Sequence, residues 1–543
     1  MPRIKENKIF HYNSSDDRKY YKLPNPGLRS YFGSVRDGQP EIFYGTFANV
    51  KSKKDVQRVL SDWSATLEQI SNKWPTLWEY ENDLRAKVGP MSHQMAYKYR
   101  VDSIIEYYEG ILLPSSPVDD RAIKAVLSEY AQMRGLRPRG QVATVAKMRL
   151  STSAGNPYFT KRRKVVDKTI PVDVWMEGST PHMRMHGISW LPTAILGWRG
   201  QEGGPNYNDT KQRVVWMFPF GVNVAELQVY QPLIEAAKRF DLISSWVSMD
   251  AVDRKITKLF DSKAPKDLVV CTDFSAFDQH INADLQNCAL QILTGLLDKS
   301  MTSKDWLRDV YPVKYNIPLN VAPGVYAIGK HGMASGSGGT NADETLLHRA
   351  LQYEAAMRAG QRLNPNSQCL GDDGVLTYPS ITVEDVTKAY TRHGLVMNVS
   401  KQYASAQDCT YLRRWHHTDY RVDGVCVGVY STFRALGRLM YHERYYDPDI
   451  WNAKMVALRQ LSILENCKWH PMRDQFAEFC IKRDKYRLGI DIPGFLDNIV
   501  NEAEEAIELM PDFMGYVQTQ MGEDPFNPKG MLDWWIVKYL KSK

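Results

Sequence analysis

Two groups of carboxylates near the middle of the chain have types and spacing that suit metal-dependent chemistry. Asp273 and Asp278 are five residues apart, and Asp372 and Asp373 are adjacent. Adjacent carboxylates in a confined site repel each other and are stabilised by divalent cations that prefer oxygen ligands, such as Mg²⁺ or Mn²⁺. Two such ions can activate an attacking hydroxyl and stabilise a leaving phosphate oxygen. The carboxylates therefore predict a site for phosphoryl transfer.

Apolar segments next to these carboxylates predict the elements that position them. Residues 268–272 suit a buried strand that ends at Asp273, and apolar residues recur at helical spacing through 285–297. Residues 369–377 predict a β-hairpin with the acidic pair at its tip. Each pattern has a structural alternative, because Asp278 could cap the following helix and Asp-Gly is a common turn sequence. Together the patterns favour acids gathered at the rim of one sheet.

A third segment, residues 332–341, is rich in glycine and hydroxyl side chains and precedes an apolar helical pattern. Small residues let the backbone approach a sugar-phosphate chain, and the start of a helix offers unpaired N–H groups to an anion. The segment lacks the Gly-Lys-Ser/Thr sequence of a Walker A loop. It predicts a contact with a nucleotide or a nucleic acid, and a flexible linker is the alternative.

The composition indicates a folded protein with an excess of positive charge. Of the 543 residues, 43% are hydrophobic and 24% are charged, which excludes extensive disorder and a coiled-coil rod. Lys and Arg number 69 against 62 Asp and Glu, and ten of these cations fall within residues 134–168. The cluster predicts a polyanionic partner, with a solvated surface as the alternative. Residues 197–205 are rich in glycine and predict a mobile loop before a basic strand at Lys211 and Arg213.

The sequence gives no signal for a membrane or for a disulfide framework. No window approaches the roughly 20 apolar residues of a membrane span, and the first residues lack the apolar centre of a signal peptide. None of the seven cysteines precedes Cys271, and none has zinc-site spacing. We therefore expect a reducing compartment such as the cytosol and no membrane partner.

In chain order, these segments resemble the motifs of the RNA-dependent RNA polymerases of RNA viruses. The palm motifs A, B and C of that family match Asp273-x4-Asp278, Ser335-Gly-x3-Thr340 and Gly371-Asp-Asp373. Motifs G, F, D and E match Thr152-Ser-Ala-Gly155, Lys211-x-Arg213, Lys401 and Tyr411-Leu-Arg-Arg414. The match covers residues 150–415, and within the family the segments 271–278 and 332–340 are most similar to picobirnavirus polymerases.

The resemblance implies a role for each matching residue. Asp273 and Asp372 are expected to hold two Mg²⁺ ions, for which Mn²⁺ can substitute, with Asp373 and the Phe274 carbonyl in the same metal site. The nucleotide is expected to contact Lys211, Arg213, Asp278, Ser335, Thr340 and Asn341. Lys401 is expected to act as the general acid for pyrophosphate departure. The RNA is expected to contact Thr152, Ser153, Ala154, Gly155, Arg162, Arg163, Lys164, Gly336, Tyr411, Leu412, Arg413 and Arg414.

One position departs from the family pattern. Many relatives have Asn four residues after the motif B Thr, where it helps to recognise the ribose, but this chain has Glu344 there and Asn341 nearby. Which of the two takes the sugar role stays open.

The resemblance also implies an α+β fold of the right-hand type, with closed fingertips, an antiparallel palm sheet and a helical thumb. The expected segments are an N-terminal extension at 1–65 that bridges fingers and thumb, fingers and fingertips at 66–265, and palm at 266–298. A fingers insertion at 299–328, palm again at 329–415, and thumb with the C-terminal segment at 416–543 complete the expected organisation.

The implied activity is template-directed nucleotidyl transfer from NTPs, with RNA as template and product, for viral genome replication and transcription. Copying a double-stranded genome further implies viral capsid protein as a partner and a location in the host cytoplasm, within or beside the virion. A reverse transcriptase is a weaker alternative, because that family has an aromatic residue in place of Asp278 and Tyr in place of Gly371. The other alternative is an inactive RNA-binding or capsid-associated protein on a palm fold, against which the four intact Asp residues argue.

Overall fold

A computed structural model describes residues 9–12, 26–511 and 526–543. Within those residues, fifteen strands form one sheet of five strands, one of four and two of three. Helices surround the sheets and form two large buried cores, one centred on the fingers and palm and the other on the C-terminal helices.

The four-stranded sheet carries both carboxylate groups. Its strands are all antiparallel and lie in the order Gln368–Leu370, Asp373–Leu376, Val269–Thr272 and Tyr403–Ser405. Because side chains alternate between the faces of a strand, Val270 faces one core and Val269 the other. Helices Ala283–Leu296 and Thr340–Arg358 cover one face, and helix Met249–Ser262 covers the other. This double cover explains why the strand before Asp273 is continuously apolar.

The five-stranded sheet carries the basic strand. Its order is Phe10–Tyr12, Val325–Ala327, Leu319–Ala322, Ala194–Gln201 and Lys211–Met217. Ala194–Gln201 pairs in parallel with Leu319–Ala322, and the other pairs are antiparallel. Val172–Glu177, Thr180–Met185 and Ile188–Trp190 form a separate sheet that packs on helix Phe220–Arg239.

The prediction of a mobile loop at 197–205 is wrong for its first half, which lies in the strand Ala194–Gln201. The glycines there serve close packing. A Cβ at Gly200 would collide with the carbonyl oxygen of Met91, and one at Gly197 would lie 3.2 Å from the Tyr31 hydroxyl. Glycine in a strand therefore marks a close approach here, and the chain turns only after Gln201.

The C-terminal region is helical. Its helices are Thr432–Met440, Ala453–Glu465, Arg473–Arg483, Ile499–Leu509 and Trp535–Lys541. The strands Asp408–Tyr411, Arg414–His417 and Val429–Tyr430 form the sheet between the palm and these helices. The remaining α-helices of the described residues are Pro26–Asp37, Lys53–Leu67, Pro75–Lys87, Val101–Glu109, Asp120–Glu129, Gln141–Ala146, Val166–Thr169, Ser244–Val247, Met301–Asp309 and Val383–Thr391.

Two N-terminal helices pack with the thumb. Lys53–Leu67 and Pro75–Lys87 bury their apolar residues in the core of the C-terminal helices. The Trp63 indole donates to the Thr432 hydroxyl at 2.8 Å, and buried Glu81 accepts the Thr432 N–H at 3.2 Å. The expected boundary between the N-terminal extension and the fingers, at residues 65 and 66, lies inside helix Lys53–Leu67.

The fingers also touch the thumb directly. Arg199 pairs with Glu443 at 2.9 Å, and Glu202 pairs with Arg434 at 2.8 Å. These ion pairs join the fingertips to helix Thr432–Met440, through Arg434, and to the segment just after that helix, through Glu443. Among the described helices, none combines the length and the apolar character needed to cross a bilayer.

Candidate active site

The predicted catalytic residues face a common cavity of about 500 Å³. The palm contributes Asp273, Phe274, Asp372 and Asp373, and the turn before strand Tyr403–Ser405 contributes Lys401. Further walls come from Arg213 of the fingers, from Tyr411 and Arg413, and from the N-terminal helix residues Thr76, Glu79, Tyr80, Asp83, Leu84 and Lys87. The cavity therefore lies between the palm, the fingers and the N-terminal helix that packs on the thumb.

Asp273 is held by a residue that sequence reasoning missed. The Asp273 N–H donates to Gln402 Oε1 at 2.7 Å, and Gln402 Nε2 donates back to the Asp273 carbonyl at 2.8 Å. This pair of bonds fixes the backbone where the strand ends and leaves the carboxylate free to face the cavity. The only signal in the sequence is the position of Gln402 directly after Lys401.

Asp372 and Asp373 lie at the tip of a tight hairpin. Leu370 pairs with Asp373, so Gly371 and Asp372 form a two-residue turn, and Gly371 has φ +57°. The motif B helix supports the turn, since His348 Nδ1 lies 2.8 Å from the Gly371 carbonyl. Asp373 is half-buried, and its Oδ2 accepts the N–H of Leu412 at 2.8 Å. Leu412, an expected RNA contact, thus supports the motif C turn through its backbone.

Burial and mutual repulsion shape the acidity of this group. Burial raises the pKa of Asp373 to about 7, and neighbouring Asp372 contributes to the rise. Burial and then Asp278 raise the pKa of Asp372. Glu344, only 5% exposed, has a pKa well above its usual range because of burial and the nearby Asp278 carboxylate. The cations Arg213 and Arg413 act in the opposite direction on the pKa of Asp372 and offset only part of these effects.

The donor set fits a divalent cation of the Mg²⁺ type. Among the described residues, no three His, Cys, Asp or Glu side chains converge closely enough to cage a metal ion. Mg²⁺ is usually held by one or two carboxylates and completes its octahedron with water and substrate phosphates, so a cage is not required. Asp273 and Asp372 line one cavity, and the nearby Asp278 carboxylate raises the pKa of Asp372, so this group of oxygen donors matches that mode.

Cations lie near the acids of the cavity. Lys211 and Arg213 share one face of strand Lys211–Met217 because they are two residues apart. Burial lowers the pKa of Lys211, and the nearby cations Lys87, Arg213 and Arg413 lower it further. Lys87, at the end of helix Pro75–Lys87, was missed by the sequence analysis because no motif marks it. The four cations Lys87, Lys211, Arg213 and Arg413 lie close to carboxylates that could hold a divalent metal ion. This combination of charges suits a bound polyphosphate.

Asp278 does not cap the following helix. It lies in a short turn, Asp278–His280, and the helix Ala283–Leu296 is capped by Asn282, whose side chain accepts the N–H of Leu285 at 3.1 Å. The helix-cap alternative for Asp278 is therefore wrong. The Met333 N–H donates to the carbonyl of Asp278 at 2.9 Å, which ties motif A to the start of motif B.

The motif B residues are engaged with their own surroundings. The Ser335 hydroxyl donates to the Val214 carbonyl at 3.1 Å, and the Thr340 hydroxyl donates to the Ser337 carbonyl at 3.2 Å. Asn341 accepts the Trp246 indole N–H at 2.8 Å. Glu344 lies beneath the motif C turn and close to Asp278, so the structure places it nearer to the carboxylates than its sequence position alone shows.

The expected RNA contacts divide into exposed and buried residues. Arg163, Lys164, Gly336 and Arg413 are exposed, whereas Thr152 and Ser153 are half-buried. Ala154, Gly155 and Tyr411 are buried, and Ala154 accepts the Phe220 N–H through its carbonyl. Arg414 is also buried and makes a bidentate ion pair with Asp253 at 2.7 and 3.0 Å. The structure therefore gives Arg414 a structural partner and does not present its guanidinium to the cavity.

The comparisons with known proteins agree with this geometry. The model of the family described as viral RNA-dependent RNA polymerase matches residues 89–470. The chain belongs to this family. It is therefore a nucleotidyltransferase with the right-hand polymerase fold, and both expectations from the sequence are confirmed.

The relatives also confirm the closer resemblance to picobirnavirus polymerases. A potential RNA-dependent RNA polymerase of human picobirnavirus, a double-stranded RNA virus, is 57% identical over 97% of this chain and 98% of its own length. The crystal structure of a human picobirnavirus RNA-dependent RNA polymerase matches with a TM-score of 0.91 at 56% identity, covering 97% of this chain and 98% of that one. An insertion-loop deletion mutant matches over the same shares, with a TM-score of 0.90 and 56% identity.

Proposed function

We propose that this polymerase joins ribonucleotides by two-metal nucleotidyl transfer in the cavity that Asp273 and Asp372 line. The observation that supports the proposal is the arrangement of that cavity, which is lined by the carboxylates of Asp273, Asp372 and Asp373 and by the cations Arg213 and Arg413, with Lys211 close to both groups. Two Mg²⁺ ions, when bound, would lower the pKa of the attacking 3′-hydroxyl and neutralise charge on the leaving phosphate.

The residues of the chain would bind and orient the substrates. Asp273 and Asp372 would hold the metals, with Asp373 and the Phe274 carbonyl as further oxygen donors. Lys211 and Arg213 would bind the triphosphate, because the Arg guanidinium offers a planar fork of donors and a stacking face. Lys401, which is exposed at the cavity, would donate a proton to the departing pyrophosphate.

The sugar would be selected on the motif B side of the cavity. Asp278 lies next to buried Glu344 and is free of the helix-cap role, so its carboxylate can accept a hydrogen bond from the ribose hydroxyls. Ser335, Thr340 and Asn341 would surround this contact. Selection by a hydrogen-bonded hydroxyl is strong, since an analogue without it leaves buried polar groups unpaired.

A metal-dependence assay tests the proposal. After treatment with a chelator, nucleotide incorporation on an RNA template should be abolished, and Mg²⁺ or Mn²⁺ should restore it. Asp273→Asn, which keeps the shape of the side chain but removes its charge, should require much higher Mg²⁺ for the same rate. Asp250→Asn, an exposed carboxylate at the start of another helix, serves as the control and should keep the native metal dependence. Full activity without divalent cations would contradict the proposal.

We also propose that the enzyme replicates and transcribes a viral RNA genome in the host cytoplasm, within or beside a capsid. The support is the similarity to a polymerase of a double-stranded RNA virus. Co-sedimentation of the polymerase with assembled capsid protein tests the partnership. Polymerase that stays in the soluble fraction at all capsid concentrations would argue against it.

A further inference from the structure

The motif B loop, residues 335–339, is bound on one side by the basic finger strand. The Trp216 N–H donates to the Ser335 carbonyl at 2.9 Å, and the Ser335 hydroxyl donates to the Val214 carbonyl. Gly336 has φ +128°, and a Cβ there would collide with the Trp216 carbonyl oxygen. Strand Lys211–Met217 therefore fixes both the basic residues and this side of the loop.

Two buried polar residues of helix Phe220–Arg239 hold the other side. Asn223 Nδ2 donates to the Gly336 carbonyl at 3.3 Å and to Glu226 Oε1 at 3.1 Å. Glu226 also accepts the Ser337 hydroxyl and the Gly338 N–H, the latter at 3.1 Å. Asn223 is 4% exposed and Glu226 is fully buried. A buried carboxylate is costly unless donors surround it, and here two of the three donors come from the loop.

Asn223 also contacts the basic segment. Arg162 Nη2 donates to Asn223 Oδ1 at 2.8 Å, and Arg162 Nη1 donates to the Arg149 carbonyl at 3.0 Å. Arg162 stands between the exposed cations Lys161 and Arg163. A continuous series of hydrogen bonds thus runs from the basic surface through Asn223 to the motif B loop. The Arg162 guanidinium is part of this hydrogen-bond series, although the sequence predicted a direct contact with RNA.

We propose that Asn223 and Glu226 are positioning residues that hold the motif B loop in the conformation that receives the incoming nucleotide. The inference rests on the proposed function, in which this loop lines the sugar side of the nucleotide site. Without these contacts the loop occupies the competent conformation for a smaller fraction of the time. The apparent nucleotide affinity falls in proportion to the fraction of competent loop. Saturating nucleotide restores the competent conformation, because it binds that conformation preferentially.

Steady-state kinetics on a primed RNA template test this inference. In Asn223→Ala and Ser337→Ala, KM for the nucleotide should rise about five- to tenfold, the effect of losing one direct hydrogen bond between the loop and helix Phe220–Arg239, while kcat stays close to native. Glu226→Gln keeps the shape and can still pair with Ser337, so its KM should rise less than that of Glu226→Ala. Gln231→Ala is the matched control, because Gln231 is buried on the same helix but donates to the Thr144 carbonyl. Its KM should remain native.

The opposite pattern would overturn the inference. A reduced kcat with unchanged KM in Asn223→Ala and Ser337→Ala would mean that these residues only support folding, since misfolding lowers the active fraction. Ser337→Ala keeps the test valid if the helix variants fold poorly. Asp372→Asn distinguishes a failure of the proposed catalytic site from a failure of this inference. RNA synthesis by that variant would contradict the proposed catalytic site, whereas its inactivity together with a native KM in Asn223→Ala would contradict this inference alone.

Discussion

At the scale of single residues, the four motif aspartates differ in what their surroundings let them do. Asp373 is half-buried and accepts the Leu412 N–H, so it stabilises the turn on which Asp372 lies. Asp273 has a clamped backbone and lines the cavity. Asp278 lies beside Glu344 and does not cap the following helix. In the function that we propose, the same residue type therefore serves support, metal binding and substrate recognition.

The role of Asp278 predicts a change in sugar selection. Asp278→Ala should lower kcat/KM for ribonucleotides much more than for deoxynucleotides, shrinking the preference by about 1–3 kcal/mol for one lost charge-assisted hydrogen bond. The measurement is kcat/KM for both sugars with each protein. Asn282→Ala is the control, since losing the true helix cap should reduce stability by about 1 kcal/mol and leave the ratio unchanged. An unchanged ratio in Asp278→Ala would remove Asp278 from the ribose site.

Sequence motifs could identify these aspartates but not most of the residues that support them. Asp273, Asp372 and Asp373 stand out because acids of fixed spacing follow apolar strands. Gln402 and Glu226 are ordinary polar residues in their local sequence, and only the fold brings each to its partner. Arg414 misled the sequence analysis because a basic residue in an RNA-binding motif has the same local signature whether it faces RNA or, as here, a buried Asp253.

At the scale of elements, the strand Ala194–Gln201 shows how glycine content can mislead. The stretch looks like a loop, yet its glycines let the strand pass close to Tyr31 and Met91. The palm elements were easier to predict, because strands buried on both faces and helices with one apolar stripe have clear periodicity. Helix Pro75–Lys87 lines the cavity, but no sequence pattern revealed this, since its position depends on packing against the distant helix Thr432–Met440.

The close packing of strand Ala194–Gln201 predicts that a side chain added at Gly200 lowers the stability of the protein. Gly200→Ala should lower the free energy of unfolding by about 1–3 kcal/mol, because the added methyl group collides with a backbone carbonyl that cannot rotate away. Gly140→Ala is the control, since a Cβ there meets no atom within 4 Å and Gly140 has φ −64°. Denaturant midpoints of the two variants provide the measurement. If both variants matched the native midpoint, Gly200 would have no packing role.

At the scale of the whole molecule, contacts between distant segments of the chain hold the fingers, the N-terminal helices and the thumb together. The fingertips pair with the thumb through Arg199 and Glu202, and N-terminal helices pack into the thumb core. The basic residues 161–164 lie on the fingers, outside the cavity lining. We therefore expect template binding and chemistry to depend on different parts of the molecule.

This separation predicts a selective effect on RNA binding. Replacing Arg163 and Lys164 by Gln should weaken template binding for every sequence, and the plot of log K against log salt should become less steep by about 0.7 for each lost phosphate contact. The matched control replaces the exposed Lys258 and Lys304 by Gln, which should leave the slope unchanged. Equal slopes for all three proteins would show that residues 163 and 164 do not contact RNA.

We propose that Asp372 belongs to the catalytic metal site, and the variant Asp372→Asn tests this assignment most directly. The variant keeps the size of the side chain but removes a charge, so nucleotide incorporation with Mg²⁺ should collapse. Template RNA, which we expect to bind mainly to distant cations, should keep its native Kd at the same salt concentration. Measuring incorporation and RNA binding on one preparation gives both values. Substantial RNA synthesis by Asp372→Asn would contradict the account.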